Sequence, residues 1–220
     1  MSKTSQNQAK WQKFASGLLV LINLILGVYF YPQLPDTVPS HWNAAGQIDG
    51  YAGRFWGAFG IPLLILGIFV LFFIIPRIDP KKANYAKMGR VFWIFSFSLV
   101  LFLSILYWSV LGVALGYLKG LPRWYFGGIG ILFIIIGNYY GKIKFNYTFG
   151  LRTPWTIANE EVWYKTHRIA GPIWMAGGFL LLFTGLLPVS WAMPWFFTII
   201  VVITLVPTLY SYQIFKRLGN

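Results

Sequence analysis

The chain has 220 residues, of which 57% are hydrophobic, 20% aromatic and only 10% charged; it has no cysteine and a net charge of +13. Soluble domains of this size are about one-quarter charged, so the composition excludes disorder and most soluble enzyme classes and points to a bilayer. The missing cysteine excludes disulfide frameworks, thiolate metal sites and thiol catalysis, and nucleic acid as a partner would need a polar basic surface that this chain hardly has.

Apolar runs of about 18 or more residues can cross the hydrocarbon core as helices. Six segments qualify or come close, at residues 14–31, 55–75, 91–115, 124–140, 169–187 and 195–212. The second is the clearest, with fifteen Leu, Ile, Val or Phe residues. The first follows Lys3, Lys10 and Lys13 as a secretory signal would, but the bulky YFYPQLP after it has no small-x-small cleavage site, so an uncleaved anchor is expected. The segment 124–140 holds four glycines and Asn138, a composition that predicts close packing through small residues.

Lys and Arg counts in alternate loops set the orientation. With the N-terminus inside, fifteen basic residues lie on the cytoplasmic side, including Lys81, Lys82, Lys87, Lys142 and Lys144, and only Arg54, Lys119 and Arg123 lie outside. Trp and Tyr near most span ends fit interfacial belts. The expected fold is therefore an all-α integral membrane protein of the cell membrane, with six transmembrane helices and both termini cytoplasmic. Its expected units are a three-span domain at 1–118 and a second at 119–220.

Two connections are long. The outer loop, 32–54, has Pro32, Pro35 and Pro39 to hold the chain extended, with Gly46 and the Asp49-Gly50 pair as turn formers, which predicts an ordered lid or β-ribbon on the bundle. His41, Trp42 and Asn43 read either as a recognition surface or as a loop anchored in the headgroup region; a metal site from His41 with Asp36 or Asp49 has no recognised spacing. The inner segment, 141–168, predicts a helix start at Thr153-Pro154, with Thr156 or Asn159 as alternative caps. A short helix over about 159–168 places Glu161 beside Lys165, Trp163 beside His167, and Glu160 on the face of His167. That face invites a hydrolase reading from Glu160, Glu161 and His167, against an amphipathic interfacial helix. The sequence has no HExxH, nucleophile elbow or phosphate-binding glycine loop, so no catalytic residue, metal or cofactor is expected.

These loops also carry a resemblance. The outer LPDTVPSHWNAAGQIDGYAGR resembles the loop of a small membrane domain of undefined function that often precedes another domain. The inner GLRTPWTIANEEVWYKTHRIAG strongly resembles the signature of the SdpI family, bacterial membrane proteins typified by an immunity protein against the sporulation-delaying-protein toxin. The resemblance implies protection against a secreted membrane-active peptide toxin. In the type member it also implies a transcriptional repressor held at the membrane. It carries over onto Pro39, His41, Trp42, Asn43, Gly46, Asp49 and Gly50 as a toxin- or ligand-binding loop. On the inner side it carries over onto Gly150, Arg152, Thr153, Pro154, Trp155, Asn159, Glu160, Glu161, Trp163, Thr166, His167 and Arg168 as a partner-docking motif. The competing reading is a secondary transporter or exporter of a small peptide or ion, built from inverted three-span halves. Against it, no acidic residue lies within a span, and the in-span amides are Asn23 and Asn138.

Overall fold

The computed structural model describes the backbone of residues 3–43, 45–120 and 124–219 and, within these, the side chains of all but residues 3–8 and 189. Arg123 and the side chain of Lys3, both used in the charge count, lie outside the described residues. In chain order the elements are α1 (Lys3–Phe30), a 3-10 turn (Tyr31–Gln33), β1 (Thr37–Trp42), β2 (Ile48–Gly53), α2 (Arg54–Ile78), α3 (Lys82–Met88) and α4 (Arg90–Ala114). They continue with α5 (Trp124–Tyr140), α6 (Pro154–Ala158), α7 (Glu160–Leu182), a second 3-10 turn (Thr184–Leu186) and α8 (Val189–Arg217). Helices dominate because backbone polar groups removed from water are satisfied within a helix without help from a neighbour.

The protein is a mostly helical, multi-pass membrane protein. Five helices, over Ala9–Gln33, Arg54–Ile78, Arg90–Ala114, Glu160–Leu186 and Ser190–Arg217, are long and apolar enough to cross a bilayer. The apolar α5 has 17 residues, a rise of about 25 Å and the lower bound for a crossing. Of the five, α4 has the largest buried share. It is the axis against which α1 and α2 pack, and it also touches α5.

Two expectations are corrected. The motif helix over 159–168 and the span at 169–187 are one helix, α7, which passes through Pro172 without ending. The free-standing short helix is α6 instead. The break between them is Asn159, whose extended backbone ends α6 while its side chain accepts hydrogen bonds from the N–H groups of Glu161 and Val162. In the outer loop, Asp49-Gly50 is not a turn but part of β2; the turn lies between Asn43 and Gln47, with Gly46 at φ +76°. Gly50 is required for a different reason: it faces His41 across the ladder, where a Cβ would stand 2.8 Å from that of His41.

The hairpin sits on the bundle as a ribbon. Val38 is fully buried against Gly57 of α2, in a cluster with Leu34, Ala58, Tyr107, Val110 and Leu111. Asp36 pairs with Arg54 at 2.6 Å, fastening the base of the ribbon to the first residue of α2.

The expected small-residue packing of α5 is found against α7. A Cβ on Gly130 would lie 2.6 Å from the Gly178 carbonyl oxygen, and one on Gly137 2.6 Å from that of Gly171; Cβ atoms on Gly178 and Gly171 would meet Gly130 and Gly137 in return. The two backbones touch at paired glycines seven residues apart, which replaces hydrophobic driving force by close van der Waals contact. Gly137→Val is therefore expected to lower thermal stability in detergent by about 1–3 kcal/mol or more. Gly127→Ala, where a Cβ meets nothing within 4 Å, is expected to leave it unchanged or slightly raised. Equal melting of Gly137→Val and the unmodified chain would contradict this packing.

Candidate functional site

The starts of α1, α4 and α7 and the ends of α2, α5 and α8 meet at one end of the bundle, called here the motif end. There Lys13 lies over the Trp93 ring at 4.4 Å, Trp163 donates to the Ile143 carbonyl at 3.1 Å, and the Thr153 and Ser211 hydroxyls are 3.0 Å apart. The segment between α5 and α6 has no regular secondary structure, so side chains must satisfy its backbone. Fully buried Asn146 does much of this. Its Oδ1 accepts from the N–H groups of Thr148 (2.9 Å) and Phe149 (2.6 Å), and its amide nitrogen donates to the Lys144 and Phe149 carbonyls, both at 2.8 Å.

The connection between α2 and α4 clamps this loop. Asp79, 3% exposed at the end of α2, accepts from the N–H of Lys81 (2.7 Å) and of Tyr147 (3.0 Å), and from the hydroxyls of Tyr85 (3.0 Å) and Thr148. Tyr85 also stands 3.0 Å from Asn146 Oδ1, and Asn84 donates to the Phe145 carbonyl at 2.8 Å. Burial alone would raise the Asp79 carboxyl; hydrogen bonds from Thr148, Lys81, Tyr85 and Tyr147 outweigh it and hold the group below its ordinary value. Burial pushes the Tyr85 hydroxyl upward, so it stays a donor.

Within the inner motif, the structure separates residues that build the site from residues that face outward. His167 is 1% exposed. Its Nε2 accepts from the Leu151 N–H at 3.0 Å, which assigns the proton to Nδ1, where it is donated to the Trp163 carbonyl at 2.9 Å. The ring stacks on Trp163 with centroids 4.1 Å apart. Gly150, at φ +118°, lies under the imidazole, where a Cβ would stand 2.6 Å from Nε2. Thr153 caps α6 with Thr156 in a reciprocal box, so the expected start at Thr153-Pro154 and the alternative cap at Asn159 each begin a different helix. Trp155 packs on Tyr212 of α8, and Thr166 is fully buried. Arg152, Pro154, Glu160, Glu161 and Arg168 are exposed. Glu161 pairs with Lys165 at 2.6 Å as expected, while Glu160 accepts from the Tyr164 hydroxyl. The surface Glu160 and buried His167 do not come together. The hydrolase face and the interfacial-helix reading both assumed an exposed histidine and are corrected: this one is a bolt inside the motif.

At the hairpin end, His41 Nδ1 lies 2.5 Å from Asp49 in an exposed pair, whereas Asp36 is taken by Arg54, so the three do not gather around a common point. Asn43 closes the turn by accepting from the N–H groups of Ala45 and Gln47. Pro39 is buried opposite Tyr51, and half-buried Trp42 packs against the cluster under the ribbon. Inside the bundle, Asn23 donates to Ser104 at 2.7 Å and accepts from the Trp108 indole at 2.8 Å, so this in-span amide holds helices together rather than lining an ion path.

The motif reading missed Asp79, Asn84, Tyr85, Asn146 and Ser211. Only Asp79 left a signal: a lone carboxylate between Arg77 and Lys81-Lys82 in a basic loop. Asp79→Asn is expected to lower stability by on the order of 3 kcal/mol, since it removes a charge that holds buried donors. The folded carboxyl lies below its ordinary 3.8. Its contribution is thus fully present above that pH and is lost as pH falls through the folded value. Melting between pH 6 and pH 3 should fall less steeply in Asp79→Asn than in the unmodified chain.

Comparison with known proteins gives matches at both ends of the molecule. Residues 18–66, which enclose the hairpin, match a domain of unknown function, DUF1648. Residues 142–211, from the clamped loop to the serine that bonds Thr153, match the SdpI/YfhL protein family. The chain is also similar to the Immunity protein SdpI of Bacillus subtilis (strain 168), at 26% identity over 203 residues, covering 92% of this chain and 95% of that protein. No solved structure matches. The chain thus resembles SdpI/YfhL proteins over residues 142–211, with the DUF1648 match ahead of that region in the order that the two loop motifs predict.

Proposed function

We propose that the chain is a non-enzymatic immunity protein of the bacterial cell membrane, protecting the cell that makes it from a secreted membrane-active peptide toxin. The observation that carries this reading is similarity along almost the whole chain to a protein named for immunity. In this reading six helices cross the bilayer, α5 by the shortest path, with both termini and the motif end in the cytoplasm. The gathering of basic side chains at the motif end, against Arg54 and Lys119 at the other among the described residues, supports that orientation. Residues 1–118 and 119–220 then form two three-span domains. The mutual packing of α1, α2 and α4, the packing of α7 on both α5 and α8, and the α4–α5 contact that joins the groups support this division.

The toxin engages the outward hairpin, where the His41–Asp49 pair and Tyr51 are exposed. A cytoplasmic repressor docks on the outward-facing part of the motif, through Arg152, Glu160, Glu161 and Arg168. One helix joins the two faces: α2 begins at Arg54, fastened to the hairpin by Asp36, and ends beside Asp79, which holds Tyr147 and Thr148. Toxin that binds one setting of hairpin and α2 better than another shifts the docking face by its differential affinity. The basic residues serve orientation and docking, with no direct nucleic acid contact.

Expression in a toxin-sensitive host should raise survival under toxin challenge. His41→Ala with Asp49→Ala should reduce protection at an unchanged membrane level, and Arg152→Glu with Arg168→Glu should abolish repressor recruitment while protection persists. No gain in survival with the chain present in the membrane would overturn the immunity reading.

A further inference from the structure

Beside the clamped loop, two concavities of about 370 and 300 Å³ open between α1, the end of α2, α3 and the start of α4. They share Lys13, Tyr85, Ala86 and Trp93, and so form one depression. Its cations come from three helices: Lys10 and Lys13 from α1, Arg77 from α2 and Lys82 from α3. Among the described residues no carboxylate lines either concavity. Asp79, the nearest acid in sequence, is buried and committed to Tyr85, Thr148 and two backbone N–H groups. The floor is aromatic, with Trp93 carrying Lys13 on its face and Phe72 and Phe73 beside it.

We propose that this depression binds the head-group phosphate of an anionic phospholipid. Four cations without a counter-charge over an apolar floor suit a phosphodiester attached to hydrocarbon, and the size falls in the range of roughly 300–1,000 Å³ typical of ligand sites. Basic pockets between transmembrane helices bind such head groups. Position favours lipid over free phosphate. Trp11 and Phe14, exposed on α1 next to Lys10 and Lys13, lead from the cations straight into the apolar run, and Pro76 and Arg77 lie where the apolar run of α2 ends. Tyr85 lines both concavities while holding Asp79 and Asn146, so an occupied site braces the loop that carries the family motif. The inference goes beyond the immunity reading and requires only that the chain crosses a bilayer.

The test uses the full chain purified in neutral detergent, with lipid retention read by native mass spectrometry and stability by thermal melting. Phosphatidylglycerol should be retained over phosphatidylcholine and should raise the melting temperature. Replacing Lys13, Arg77 and Lys82 together by Gln should weaken retention by about tenfold or more. Replacing Lys87, Lys216 and Arg217 by Gln, which removes as much charge from the same end, should change it less than about twofold. Lys10→Gln and Lys82→Gln, both at exposed positions, carry the same comparison should the triple variant not fold. Equal loss in the two triple variants, no preference for phosphatidylglycerol, or an equal melting shift with inorganic phosphate would each overturn the proposal.

Discussion

Much of this structure turns on a single buried carboxylate. Asp79 closes α2, and its four donors come from its own turn, from α3 and from the loop after α5. An ionised group removed from water is tolerated only when its lone pairs are filled, so the carboxylate dictates where Tyr85, Tyr147 and Thr148 stand. Asn146, Trp163 and His167 then complete the loop from within, each giving at least one polar atom to a backbone group of the loop that no helix satisfies.

The same economy of polar contacts appears within the bundle. Between helices in lipid the hydrophobic effect offers little, and close packing and buried hydrogen bonds take its place. Paired glycines bring α5 onto α7, Asn23 links α1 to Ser104 and Trp108 of α4, and Tyr107 donates to the Ala58 carbonyl of α2 at 2.7 Å. The hairpin follows suit: Val38 rests on Gly57, and Arg54 ties its base to α2. The inner motif thus lies at the far end of a helix whose other end carries the hairpin.

The apolar helices were legible because hydrocarbon demands length and composition together, both properties of a single segment. α5 begins and ends where its sequence predicts. The helix start at Thr153-Pro154 was legible for a similar reason, since a cap is a local pattern. The motif helix and its span were read as two because the polar residues up to Arg168 suggested an interfacial element; in the structure that polar turn is the first part of α7. The role of His167 was not legible, because its burial depends on Gly150 and Leu151, which reach it only when the loop folds back. Asp49-Gly50 looked like a turn because both residues favour turns, whereas the cross-strand approach to His41 is what requires the glycine.

By itself the sequence determined what a single segment or a charge count can carry: apolar helices, basic residues concentrated in alternate loops, spans without acidic residues, an ordered loop at 32–54, and two motifs in a recognisable order. The tertiary structure decided which motif residues face outward and which are spent inside. It alone brought Asp79 to Thr148, 69 residues away, and Thr153 to Ser211, 58 residues away. The physical reason is that a buried polar group is positioned by its partners, and these come from segments whose meeting no local pattern records.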